Sequence, residues 1–225
     1  MRVLTWNLYH GRAVPPAARD LQADFAAALA GWAWDVALLQ EVAPWWPAAL
    51  ARACGAEVRS ALTSRNALLP LRRAIAVRAP DLIKSNGGGA NAILVRGPIA
   101  AERRLLLRRW PERRVCHAVQ LADGTWWANL HAQVHSPARA RADIERAAAA
   151  TLAWSAGAPA VLGGDFNVRE PTAPGLRPLG GRGVDHVLGR GWAAVAPTEL
   201  PDHGRLSDHA PVIVTLMRRE RVSGG

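Results

Sequence analysis

Asp165 and Asn167 stand two positions apart at the close of an apolar run, in Gly163-Gly164-Asp165-Phe166-Asn167. Side chains alternate along an extended backbone, so this spacing sends one carboxylate and one amide to the same face. The carboxylate can hold a hard cation or align a water. The amide can donate to a phosphoryl oxygen that a second carboxylate would repel. The pairing suits hydrolysis of a phosphate ester, and Ser207-Asp208-His209, opening a later apolar run, adds an acid and an imidazole.

Two N-terminal segments carry further polar groups where strands should end. Arg2-Val3-Leu4-Thr5-Trp6-Asn7 reads as a strand closing on an amide, and Val36-Ala37-Leu38-Leu39-Gln40-Glu41 as one closing on a carboxylate. In open α/β sheets ligands gather beyond strand ends, so groups distant in sequence can converge there. Glu41, Asp165 and Asp208 are therefore expected to form an acidic centre. Such a centre takes Mg²⁺ or Mn²⁺, which prefer oxygen donors and keep exchangeable waters.

With these residues in place the chain resembles the endonuclease/exonuclease/phosphatase superfamily, the DNase I-like metal-dependent phosphoesterases. Five segments match in order: Thr5-Trp6-Asn7, Leu39-Gln40-Glu41, Asn129-Leu130-His131, Gly164-Asp165-Phe166-Asn167 and Ser207-Asp208-His209. Val184-Asp185-His186-Val187 fits a sixth, Asp-bearing strand. The resemblance implies that Glu41 with Asn7 holds the divalent ion and that Asp208 is an outer or second metal contact. It implies that Asp185 orients His209, as in hydrolytic triads. Asp165 and His209 share the assignment of base, Asn167 grips a phosphate oxygen, and His131 stabilises phosphate. The Lys that closely follows the metal-binding Glu in the abasic-site branch is absent, since Val42 and Ala43 follow Glu41. That argues against abasic-site repair.

Other polar residues read more simply. His135 is expected in a loop before the helix that Ser136-Pro137 starts, and His10, His117, His186 and His203 at the surface or in packing, with His10 near enough to Asn7 to touch substrate. The run from Lys84 through Gly87-Gly88-Gly89 to Asn91 could bring backbone N–H groups to an anion, with Asn91 the candidate substrate-binding residue, although glycine clusters more often serve tight turns.

The chain has 225 residues, half of them hydrophobic, enough for one catalytic domain, expected over 1–217 with a tail at 218–225. A monomer is expected. No apolar run reaches about 18 residues, which argues against a membrane-spanning helix. The two cysteines and the absence of a signal-like start suggest a cytoplasmic protein. The net charge is +10, and every basic residue except Lys84 is an arginine. Arg forks match phosphate geometry, so nucleic acid is the favoured partner and a DNA or RNA nuclease the favoured activity. A phosphatase or phosphodiesterase acting on a small molecule, lipid head group or sugar phosphate would use the same catalytic residues. Arg103, Arg104, Arg108, Arg109, Arg113 and Arg114 would form the basic face, or else solvated strand edges.

The supporting elements follow from periodicity. Helices are predicted over 16–31, 44–54, 64–79 and 137–155, with Leu21, Phe25, Leu29 and Trp32 on one face of the first. Strands are predicted over 90–95, 99–107, 113–121, 125–132, 159–164, 184–188 and 210–217, with a turn at Asp123-Gly124. The pattern suggests two mixed sheets packed face to face with helices outside, and the resemblance implies the α/β class, as a DNase I-like four-layered sandwich.

Overall fold

The computed structural model describes residues 1–64, 66–83, 85 and 88–219. Twelve strands and four α-helices are found among them: β1 (Arg2–Asn7), α1 (Gln22–Gly31), β2 (Val36–Val42), α2 (Pro47–Cys54), β3 (Glu57–Thr63), α3 (Leu69–Arg78), β4 (Gly89–Val95), β5 (Ile99–Arg108), β6 (Arg114–Leu121), β7 (Trp126–His131), α4 (Pro137–Ser155), β8 (Ala160–Asp165), β9 (Arg177–Arg182), β10 (Asp185–Arg190), β11 (Trp192–Ala194) and β12 (Val212–Arg218). They form two six-stranded mixed sheets, ordered β11-β12-β1-β2-β4-β3 and β5-β6-β7-β8-β10-β9.

Alternation along the strands builds the layers. In β1, Val3 enters the cluster between the sheets with Leu38, Ile93, Trp127, Val161, Val187 and Val214. Leu4 and Trp6 turn the other way, toward Phe25 and Leu29 of α1 and Leu50 of α2. On the far side Ala128, Leu130 and Leu162 pack against Ala140, Ile144 and Ala148 of α4. The order is helices, sheet, sheet, helix, the expected DNase I-like sandwich. At about 25 cal/mol per Å² of apolar area removed from water, these three clusters supply the main drive for folding.

A polar bridge crosses the inter-sheet layer. Gln40 Nε2 donates to Asn129 Oδ1 at 2.8 Å, and Asn129 Nδ2 donates to the carbonyls of Leu39 and Ala92 at 2.8 and 2.9 Å. Both residues are fully buried, so these bonds answer polar groups that would otherwise be left without water. Gln40 and Asn129 belong to the Leu39-Gln40-Glu41 and Asn129-Leu130-His131 segments, and they lock the two sheets together beneath the ends of β2 and β7.

The first predicted helix begins six residues later than expected, at Gln22, where the chain upstream passes through a left-handed residue, Ala18 at φ +54°, that a right-handed helix does not accommodate. The second starts at Pro47 rather than near Pro44, with proline at its first turn, where no N–H is needed. Three edge strands escaped the sequence reading. β9 reads Arg-Pro-Leu-Gly-Gly-Arg, a composition with poor strand propensity. β3 has a mostly half-exposed pattern, and β11 has only three residues. The expected tail is shortened at its start, since Arg218 pairs with Trp192 as the last residue of β12. Residues 220–225 lie outside the described residues. No helix among those described is long and apolar enough to cross a membrane.

Candidate active site

Register delivers the site residues to one end of the sandwich. β1 and β2 run parallel with Asn7 opposite Gln40, and β7 and β8 run parallel with His131 opposite Asp165. β10 is antiparallel to β8, so its first residue, Asp185, faces Asp165. The Ser207–His209 loop is pinned to the end of β1 by two bonds. Trp6 Nε1 donates to the His209 carbonyl at 2.9 Å, and Ser207 Oγ donates to the Asn7 carbonyl at 2.6 Å.

Backbone conformation then aims the side chains. Glu41 has φ +51° where the β2–β4 register shifts between Leu39 and Val42, a bulge that turns its carboxylate out of the strand. Tyr9, His10, Asn167 and Ser207 also have positive φ, between 49° and 65°. Such conformations disfavour L side chains and collect at functional sites. Gly164 has φ +141°, and a Cβ there would run into the backbone of Leu130. Only glycine allows β8 to press against β7 and still end on Asp165.

The resulting cleft has a volume of about 680 Å³ and is lined by Asn7, Tyr9, His10, Arg12, Glu41, Arg72, Glu112, Arg114, His131, His135, Asp165, Asn167, Asp208 and His209, among others. Asp165 is its floor, 2% exposed. Asn7 Nδ2 donates to Asp165 Oδ2 at 3.0 Å, and the Asn167 backbone N–H donates to Oδ1 at 2.9 Å. Burial, with the like charge of Asp185, pushes the Asp165 carboxyl up to about 6, against the opposing pull of His209 and these two donors.

His209 Nδ1 lies 2.8 Å from Asp185 Oδ2, and its Nε2 lies 3.9 Å from both Asp165 Oδ2 and Asp208 Oδ1. Burial disfavours the imidazolium, but the hydrogen bond and charge of Asp185, with Asp165 and Asp208 behind them, outweigh it and raise His209 to about 9. The site therefore opposes an acid that releases its proton late to an imidazole that keeps its proton.

His131 plays a different part. Arg114 Nη1 sits 3.1 Å from His131 Nδ1, and a guanidinium can only donate, so Nδ1 is the bare nitrogen and Nε2 carries the hydrogen. That Nε2–H points toward Asp165 Oδ2 at 3.6 Å and Glu41 Oε1 at 3.8 Å. Burial first, then the charges of Arg114, His10 and His209, hold His131 well below the usual range, so it stays neutral.

The structure brings together eight of the nine residues singled out from sequence: Asn7, Glu41, His131, Asp165, Asn167, Asp185, Asp208 and His209. Asn167 arrives with one amide hydrogen already donated to the Ala132 carbonyl at 2.9 Å, leaving the other for a ligand. Asn91 does not reach the cleft. It is fully buried in β4 and donates to the Val115 carbonyl at 3.3 Å, tying strands rather than facing solvent. The glycine run also departs from an anion-binding loop: the Gly88 and Gly89 N–H groups donate to the Ser85 carbonyl and Asn66 Oδ1 at 3.0 and 3.2 Å. Lys84, Asn86 and Gly87 lie outside the described residues.

Sequence reasoning passed over Glu112 and the part of Arg114, gave His10 no more than a substrate contact beside Asn7, and placed the rim residue His135 only in a loop. Arg114 had been grouped with a surface-basic stretch, yet it is 2% exposed and bonds Glu112 at 2.7 Å. Its place opposite the Asn129-Leu130-His131 strand was the available signal, because β6 and β7 form a hairpin around Asp123-Gly124. Arg104 and Arg108 of the same stretch pair with Glu102 and Asp143.

Among the described residues, two groups could hold a cation. Asp165, Asp185 and His209 each offer a ligand atom within 4.8 Å of the others. However, the Asp185–His209 bond favours an imidazolium, which has no lone pair to give on either ring nitrogen. Glu41 is the better anchor, since its carboxylate is 20% exposed in the cleft beside Asn7. Carboxylate and amide oxygens are the donors that Mg²⁺ and Mn²⁺ prefer, so the residues present fit such an ion.

A profile of the Endonuclease/Exonuclease/phosphatase family matches residues 4–209. Among solved structures, an endonuclease/exonuclease/phosphatase from Beutenbergia cavernae is 20% identical, with a TM-score of 0.69 over 97% of this chain and 72% of that one. A mannosyl-6-phosphatase from Bacteroides thetaiotaomicron is 16% identical, with a TM-score of 0.66 over 96% of this chain and 99% of that one. TDP2 from Caenorhabditis elegans is 14% identical, with a TM-score of 0.69 over 96% of this chain and 74% of that one. Comparison with curated proteins gives no match.

Proposed function

The chain belongs to the endonuclease/exonuclease/phosphatase family, and from that premise we propose that it is a divalent-metal-dependent hydrolase of phosphodiester bonds in DNA or RNA. The observation that carries phosphoester hydrolysis is the opposition of Asp165 and His209 across the cleft floor, with Asp185 behind His209. Asp165, ionised above about 6, takes a proton from the attacking water. His209, protonated below about 9, presents its Nε2–H to an oxygen whose negative charge grows as the ester bond breaks. Neutral His131 and the remaining Asn167 amide hydrogen supply further donors. Mg²⁺ or Mn²⁺ held by Glu41 and Asn7, with Asp208 at the margin, would draw electron density from the phosphoryl group. The net charge of +10 supports a polyanionic substrate.

A second reading, a monoesterase for a small phosphate such as a sugar phosphate, has observations of its own. The cleft is compact, Arg104, Arg108 and Arg114 are paired with carboxylates, and the mannosyl-6-phosphatase shares the fold over nearly its whole length. Incubation with Mg²⁺ or Mn²⁺ against plasmid, oligonucleotides, RNA and sugar phosphates, with EDTA as control, separates them. Nucleic-acid cleavage that weakens steeply with salt supports the first reading. Turnover of small esters alone would sink it.

A further inference from the structure

Glu41 lies between two imidazoles whose protons are placed oppositely. His131 turns an N–H toward it, because Arg114 occupies the other ring nitrogen with a donor. His10 is the reverse case. Its Nδ1 is 3.0 Å from the Gly88 carbonyl, and a carbonyl only accepts, so Nδ1 carries the hydrogen. In the neutral ring, Nε2 then presents a lone pair 3.1 Å from Glu41 Oε2. Two lone pairs facing each other at that distance repel unless a positive charge stands between them.

From this arrangement we infer that His10 Nε2 is a metal ligand beside Glu41, making the site a mixed nitrogen and oxygen site that favours Mn²⁺ and softer divalent ions over Mg²⁺. This rests on the reading above that Glu41 anchors the ion. A spacing of 3.1 Å is close to the separation of about 3.0 Å between adjacent donors on a six-coordinate ion with bonds near 2.1 Å. A ring whose far N–H is held by a backbone carbonyl is the usual posture of a ligating histidine, because that bond fixes tautomer and orientation. A single imidazole among oxygen donors strengthens first-row transition ions, Mn²⁺ least and Zn²⁺ more, whereas Mg²⁺ keeps to oxygen and its own waters. The left-handed backbone at His10, with φ 55° and ψ 26°, is what directs the ring back over the end of β2. The competing occupant of the gap is a proton, which would make His10 a cation and a rival to the metal.

The two occupants predict opposite signs. Mn²⁺ and Mg²⁺ are titrated separately into the full chain by calorimetry, and the electron spin echo of bound Mn²⁺ is examined for ¹⁴N coupling. H10A is expected to weaken Mn²⁺ by a factor of about 10 or more while changing Mg²⁺ by less than about 3. The ¹⁴N coupling is expected in the native chain and in H131A and absent in H10A. Unchanged or tighter Mn²⁺ binding in H10A overturns the inference while leaving the ion at Glu41, provided E41Q loses it. Unchanged binding in E41Q defeats the Glu41 reading and the inference together. The native chain tests the idea without any variant, since bound Mn²⁺ lacking ¹⁴N coupling also overturns it.

Discussion

Asp165 Oδ2 and His209 Nε2 face each other at 3.9 Å, one raised to about 6 and the other to about 9. If Asp165 must be ionised and His209 protonated, kcat/KM rises as pH passes about 6 and falls as it passes about 9. D185N removes the charge that raises His209 and leaves only a neutral acceptor for its Nδ1–H, so the alkaline limb should move to lower pH. A pH–rate profile in which D185N keeps the native alkaline limb would remove Asp185 as the partner that sets it.

Replacing the imidazole tests its part directly. H209A is expected to lower kcat by a factor of about 10² to 10⁴, with the far-UV spectrum and unfolding midpoint close to native. Activity at the native level would take His209 out of the mechanism.

His117 gives a pH dependence of stability rather than of rate. It is fully buried with Nε2 2.9 Å from Glu102, and Nδ1 has no hydrogen-bond partner among the described residues. Burial, aided by the nearby Arg104 and Arg59 and opposed by Glu102, lowers its pKa from 6.5 to about 4. Because the unfolded chain takes up this proton first, the native state is most favoured above about 6.5 and loses stability as pH falls toward about 4. The loss is on the order of 3 kcal/mol at most. Urea unfolding at several pH values measures it, and H117Q should flatten the slope in that window.

Gly164 is a backbone requirement. Its φ of +141° and the adjacent Leu130 backbone leave no room for a methyl group. G164A is expected to cost about 2 kcal/mol or more and to displace Asp165, so both the unfolding midpoint and kcat should drop. A stable, fully active G164A chain would show that β8 can shift without harm.

Much of the architecture was legible because its causes are local. The alternation in Val3–Trp6 and the long amphipathic pattern of 137–155 depend on neighbours a few residues apart, and α4 has the predicted limits. The edge strands were not legible, since Arg177–Arg182 becomes a strand only because β10 offers it a partner. Within the site, residue types and strand-end positions pointed to Asn7, Glu41, Asp165, Asn167, Asp208 and His209, and the family resemblance added His131 and Asp185.

Which nitrogen carries a proton, and which cation turns inward, depended on partners remote in sequence. Arg114 sets the His131 tautomer, Gly88 sets the His10 tautomer, and Asp185 keeps His209 charged. Asn91, at the start of a strand and apparently well placed, is closed off by the sheet it belongs to. The amino-acid order determined which groups end which strands, through side-chain alternation and turn chemistry. Tertiary packing alone decided their ionisation and orientation, because desolvation and hydrogen bonding act through space and are set by whichever groups the register brings within a few ångströms.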